Sequence, residues 1–161
     1  KLVQRIQAEA DDVLAAVEYV KNDPSVDTRR IAIMGYSLGG MVTLSATSRT
    51  NTFVAAINQA GGALNWNQYP VLQKALLDAA GKIRVPLLSM VAENDATTAA
   101  ARGVHGAAQA HGTPAQLIIY PPFTPSLPFP GNAPGHALFT LEGIGIWGRD
   151  VVAFLDTHLS R

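Results

Sequence analysis

Arg30-Ile31-Ala32-Ile33-Met34-Gly35-Tyr36-Ser37-Leu38-Gly39-Gly40 decides how this chain is read. Arg30 to Met34 is a short, apolar, β-branched run and reads as a strand. Gly35 to Gly40 reads as a tight turn, and Met41 to Ser48 as the helix that follows. Gly35-Tyr36-Ser37-Leu38-Gly39 fits the pattern G-x-S-x-G, and its strand–turn–helix setting is that of a nucleophile elbow. Such a turn strains the serine, and glycines two residues to either side leave room for the neighbouring strand and helix. The Ser37 hydroxyl then stands above the sheet. The helix start behind it favours negative charge, and the Leu38 N–H can donate to an oxyanion. The bland reading of the same letters is a glycine-rich connection with an incidental serine.

The rest of the chain repeats the alternation. Residues 4–22 form an amphipathic helical pattern with Ile6, Ala10, Val13, Leu14, Val17 and Val20 on one face, stopped by Asn22-Asp23-Pro24. Strands are expected at Thr52–Asn58, Val85–Val91 and Ala115–Tyr120. Helices are expected at Pro70–Ala80, Thr97–Ala110 and Glu142–Leu159. Residues 121–135 form a loop that holds six of the ten prolines: Pro121, Pro122, Pro125, Pro128, Pro130 and Pro134. The order α-β-α-β-α-β-α-β-α, with short apolar strands, predicts an α/β fold: a parallel sheet with helices on both faces. No internal repeat is visible, and residues 1–161 read as one domain.

Composition narrows the function. The chain has 161 residues, and its 12 Lys+Arg balance 12 Asp+Glu. Charged residues make up 15 %, against about 25 % in typical soluble domains. That is too apolar for a disordered chain. The neutral balance without a basic run argues against nucleic-acid binding. With no cysteine, disulfide scaffolds, thiolate zinc sites and cysteine nucleophiles are excluded. No apolar stretch approaches the roughly 18–20 residues of a membrane span. The sparse charge fits a surface partly covered by a partner, one piece of something larger, or simple alanine richness.

A serine hydroxyl needs a base to become a useful nucleophile. In this topology the partners follow in the order Ser, Asp or Glu, His. Asp95 falls in the turn Glu93-Asn94-Asp95 after the third strand. His136 falls after the fourth, in Gly135-His136-Ala137. Both lie at carboxyl ends of strands, where ligands bind in open α/β sheets. Glu93 competes for the acid role, and Asp95 could instead cap the next helix. His105 and His111 belong to the alanine-rich helix and His158 to the last helical turn, where solvated or dipole-facing roles are expected.

Ser37 in GYSLGG, Asp95 in AEND and His136 in GHALF resemble the triad of the α/β-hydrolase superfamily. VDTRRIAIMGYSLGG (26–40), VPLLSMVAEND (85–95) and the closing helix Trp147–Leu159 are similar to its dienelactone hydrolase-like branch. The resemblance covers essentially the whole chain. It implies hydrolysis of a small-molecule or polymeric ester, without metal or organic cofactor, with Ser37 as nucleophile, His136 as base and Asp95 as acid. It also offers Trp66 and Tyr69 as candidates to line an acyl pocket, with Phe123 and Phe129 at its rim, and core or lid packing is the equal alternative for these aromatics. Two departures stand out. Dienelactone hydrolases proper use cysteine where this chain has Ser37, which points to an esterase. The family's fold also has strands before the nucleophile strand, and a loop among them gives a second oxyanion N–H. Here one helix precedes that strand, and no HGG-like segment lies upstream of Ser37. The expectation is therefore the C-terminal portion of a hydrolase domain, with the N-terminal part missing or supplied by another chain. Alternative readings are a prolyl oligopeptidase-type serine peptidase, a cutinase-like polyester hydrolase, or a non-catalytic fragment that acts in binding or oligomerisation.

Overall fold

The computed structural model describes residues 1–129 and 131–160; Pro130 of the proline-rich loop lies outside the described residues. Helix α1 (Leu2–Val20) leads to strand β1 (Ala32–Tyr36), helix α2 (Leu38–Thr47) and strand β2 (Ala55–Gln59). Helix α3 (Pro70–Ala80), strand β3 (Leu87–Ala92), helix α4 (Ala99–Ala110), strand β4 (Ala115–Tyr120) and helix α5 (Ile144–Leu159) follow. Short 3₁₀ segments occupy Trp66–Gln68, Pro134–Phe139 and Leu141–Gly143. The strands pair in parallel in the order β1-β2-β3-β4. Parallel neighbours need crossover connections, and α2, α3 and α4 supply them.

Alternation along each strand divides the core in two. Ile33, Ala56 and Leu87 face a cluster built with α1, α2, α3 and α4, which holds Ile6, Leu44, Leu72, Leu76 and Val104. Ala55, Ile57, Leu88 and Met90 face a second cluster with Leu138, Trp147, Val151 and Phe154 of the C-terminal segment. Leu44, Ile57, Leu87 and Leu88 expose no surface, and burial of each such side chain contributes about 1.5–3 kcal/mol. Helices therefore cover both faces, four on one and α5 on the other.

The expected elements are all present, with shifted ends. The first strand, expected at Arg30–Met34, lies two residues further along, at Ala32–Tyr36. The ladder continues through Gly35↔Asn58 and Tyr36↔Gln59, and the Ser37 N–H donates to the Gln59 carbonyl at 2.8 Å. Gly35 and Tyr36 are thus strand, not turn, because pairing satisfies their backbone groups up to the serine itself. His136, expected in open loop, sits in the 3₁₀ segment Pro134–Phe139. No helix among the described residues is long and apolar enough to cross a membrane.

Strand β1 forms one margin of the sheet and, among the described residues, pairs only with β2. Its Met34 is 49 % exposed. An apolar trough runs beside it, lined by Val13, Val17, Ile31, Ile33, Met34 and Phe53. Ser37, Asp95 and His136 all follow carboxyl ends of strands, so the parallel arrangement carries them to one edge of the sheet.

Candidate active site

Ser37 stands between β1 and α2 with φ 55° and ψ −114°. A non-glycine residue in this region stores about 1–3 kcal/mol of strain. Three contacts hold it there. Its N–H is fixed by Gln59, its carbonyl accepts the Met41 N–H at 3.2 Å, and α2 begins at the next residue. The glycines explain how the turn closes. A Cβ on Gly35 would overlap the Gly39 carbonyl, and one on Gly40 would overlap the Asn58 side chain. Gly39 differs from expectation: a Cβ there would meet nothing within 4 Å. The close approaches are therefore at Gly35 and Gly40, because α2 turns that side of Gly39 away from the sheet.

The Ser37 Oγ lies 2.9 Å from the Nε2 of His136. The other ring nitrogen, Nδ1, lies 2.8 Å and 3.0 Å from the two Asp95 carboxylate oxygens. An ionised carboxylate only accepts, so Nδ1 carries the proton and the Nε2 lone pair faces the serine hydroxyl. Asp95 also accepts the Ala96 N–H at 2.7 Å. The side chains of His136 and Asp95 are almost wholly shielded from water, which strengthens these bonds relative to solvent. The arrangement can move a proton off the serine hydroxyl and hold the resulting imidazolium against a fixed negative charge. Leu38 is the first residue of α2, so its N–H has no intrahelical acceptor and remains available to an anion.

The rings around His136 complete the enclosure. The Tyr36 ring lies 5.1 Å from the imidazole centroid, and the Phe129 ring 5.4 Å. The Tyr36 hydroxyl donates to the His136 carbonyl at 2.8 Å. Burial, and secondarily the Asp95 charge, push the Tyr36 phenol up to about 12, so it remains a donor throughout the neutral range. Tyr120, at the end of β4, is also pushed up, by burial and then by its 2.5 Å hydrogen bond to Asp150. That bond ties β4 to α5 beneath the site.

Other sequence candidates lie elsewhere. Glu93 is exposed and does not reach His136; its N–H extends the ladder to Tyr120. His111 contacts the Ala107 carbonyl, and His158 packs edge-on against Phe154. Trp66, a candidate for an acyl pocket, is 8 % exposed and belongs to the α1–α4 cluster. Its indole lies where a side chain on Gly103 would go, so it fills the space between α3 and α4. Tyr69 is half exposed at the start of α3. The structure brings Ser37, Asp95 and His136 together with Tyr36 and Phe129, and leaves Trp66 in the core. Sequence reading missed Asn94. Its side-chain amide donates to the Phe123 carbonyl at 2.8 Å and accepts the Phe123 N–H at 2.9 Å. Its own carbonyl accepts the Gly135 N–H at 3.2 Å. The only sequence signal was an amide between two carboxylates in a turn.

Comparison with known proteins bears on this geometry. The sequence profile of the dienelactone hydrolase family matches residues 1–126. An uncharacterized peptidase of Bacillus subtilis, YuxL, is 44 % identical over 50 residues, 30 % of this chain and 8 % of that protein. The acylaminoacyl peptidase of Pyrococcus horikoshii superposes with a TM-score of 0.71 at 17 % identity, covering 94 % of this chain and 28 % of that one. An esterase of Pyrococcus furiosus gives a TM-score of 0.71 at 14 % identity, covering 94 % and 62 % respectively. The chain thus spans under a third of these peptidases and less than two thirds of the esterase. Four parallel strands flanked by five helices, with the strained serine after the first, have the α/β-hydrolase architecture, and the chain belongs to the dienelactone hydrolase family.

Proposed function

We propose that this chain carries the catalytic centre of a serine hydrolase that cleaves carboxylic esters through an acyl-enzyme. The observation that carries the reading is the unbroken hydrogen-bonded line from Ser37 through His136 to Asp95, in which the His136 and Asp95 side chains are shielded from water. Ser37 Oγ attacks the ester carbonyl carbon as its proton passes to His136 Nε2. The carbonyl electron pair moves onto oxygen, where the Leu38 N–H donates to it. Collapse of this intermediate breaks the bond to the alcohol, which leaves with the proton held on Nε2. Water then repeats the sequence on the acyl-serine and releases the acid. Asp95 keeps Nδ1 protonated and offsets the imidazolium charge.

A peptidase reading is favoured by one finding, the names of YuxL and of the acylaminoacyl peptidase. The same residues would act on an amide, with His136 protonating a leaving amine. Paired assays separate the two: p-nitrophenyl acyl esters against N-acylated amino-acid p-nitroanilides. Ester turnover with little amide turnover supports the esterase. Efficient amide cleavage transfers the assignment to the peptidase.

The same reading includes completion of the sheet. The free margin of β1, exposed Met34 and the apolar trough beside them suit a further strand, from a preceding segment or another chain. That region would also bring the second oxyanion donor.

A further inference from the structure

We infer that Tyr36 is a positioning residue for His136, acting through the main chain of the His136 segment. The inference rests on the proposed hydrolase reading and adds a residue to it. Each member of the Ser37–His136–Asp95 line is preceded by a residue that makes a second set of bonds running alongside the first. Asn94, before Asp95, accepts the N–H of Gly135, the residue before His136. Tyr36, before Ser37, donates its hydroxyl to the carbonyl of His136 itself. The imidazole is thus held at both ring nitrogens, and its backbone is fastened on one side to the acid turn and on the other to the nucleophile strand.

The geometry gives the two anchors different roles. Asn94 is tied to the β4 exit through Phe123, so it locates the whole segment. Gly135 leaves room for this approach, since a Cβ there would overlap the Asn94 side chain. Tyr36 belongs to β1, in register with Gln59, and Gln59 in turn holds the Ser37 N–H. Its hydroxyl therefore refers the position of His136 to the strand that carries the nucleophile. The 3₁₀ segment Pro134–Phe139 has few internal bonds to do this unaided. Beyond Tyr36, its C-terminal half is held by the Trp147 indole, which donates to the Leu138 carbonyl at 2.9 Å.

Tyr36→Phe keeps the ring against the imidazole and removes only the hydroxyl. It is expected to lower kcat about tenfold with KM within about twofold, the pattern of a lost orientation rather than a lost substrate contact. Tyr36→Leu, which also removes the ring, serves as comparator. Independently of turnover, the proton between His136 Nδ1 and Asp95 is expected as a slowly exchanging downfield proton resonance, broadened in the Phe variant. In the unmutated protein, tyrosine labelled with heavy carbon at Cζ should resolve separate hydroxyl and deuteroxyl signals for Tyr36, as a hydrogen-bonded phenol does. A Phe variant with unchanged kcat and an unchanged downfield proton overturns the inference, as does impairment confined to the Leu variant. Should the Phe variant not fold, a single averaged Tyr36 signal in the unmutated protein overturns it instead. A protein inactive on esters and amides alike, with Ser37 unlabelled by a phosphonate, counts against the hydrolase reading; the two resonances still decide the role of Tyr36.

Discussion

The Nε2 atom of His136 lies 2.9 Å from the Oγ of Ser37, although 99 residues separate them in the chain. That distance requires three crossovers to end at the same edge of the sheet, and it leaves the serine proton one short transfer from a base. Replacing Ser37 by Ala removes the proposed nucleophile and is expected to lower turnover by about 10⁴-fold or more, with a residual rate from binding and the oxyanion donor. A fluorophosphonate probe should label Ser37 and lose that label in the variant. Labelling of Ser45 or Ser48 would redirect the assignment.

Asp95 and Glu93 give a sharper comparison. The Asp95 carboxylate is buried on His136 Nδ1, whereas Glu93 is exposed. Asp95→Asn can present an amide donor to Nδ1, which favours the tautomer that cannot accept the serine proton. A loss of about 10⁴-fold in kcat is expected. Glu93→Gln should stay within about twofold. Steady-state kinetics on both variants checks the order, and the opposite ranking would move the acid to Glu93.

Tyr36 links pH to stability. Its phenol is pushed up to about 12 by burial and then by the Asp95 charge, while a phenol in the unfolded chain titrates near 10. The folded state therefore keeps a proton that the unfolded state gives up. The contribution is complete below about pH 10 and is lost as pH rises toward about 12. Tyr120 is pushed up as well, so the useful quantity is a difference. The gap in urea midpoint between the unmutated protein and Tyr36→Phe should narrow between these pH values. A constant gap would show that Tyr36 ionises alike in both states.

The glycines around Ser37 separate steric need from motif. Gly35→Ala would drive a Cβ into the Gly39 carbonyl, and Gly40→Ala one into Asn58. Both are expected to lose activity and to cost several kcal/mol, about 3 or more, as forced backbone shifts in a packed turn do. Gly39→Ala meets open space near the start of α2 and should be tolerated, with a helix gain of up to about 1 kcal/mol. Thermal unfolding of the three variants checks the ranking.

The fold was legible because its signals are local. Strand runs such as Ile31-Ala32-Ile33 and the helical period of α1 and α5 do not depend on distant partners. Ser37, Asp95 and His136 were legible for a related reason, since each follows a strand and carries a chemically scarce side chain. Trp66 stayed open between pocket and core because an aromatic in a polar stretch looks the same whether it faces a substrate or packs beside Gly103. Tyr36 was read only as part of the G-x-S-x-G turn, and its bond to His136, like those of Asn94, was invisible because the partners are main-chain groups. A carbonyl at His136 or an N–H at Gly135 leaves no mark in the sequence.

The margin of β1 sets the last prediction. An apolar strand whose outer edge pairs with nothing among the described residues, and whose Met34 is half exposed, is a template for further pairing. A polypeptide of these residues alone is expected to associate through that margin. It should also turn over esters slowly, because a missing oxyanion donor costs about 10²–10³ in rate. Met34→Lys places a charge on the uncovered side of β1, beyond the contacts that hold Ser37. It should shift the population toward monomer without restoring the rate. Sedimentation and an ester assay on both forms check this. Monomers of undiminished turnover would mean that β1 is a finished edge and that Leu38 does not need a second donor beside it.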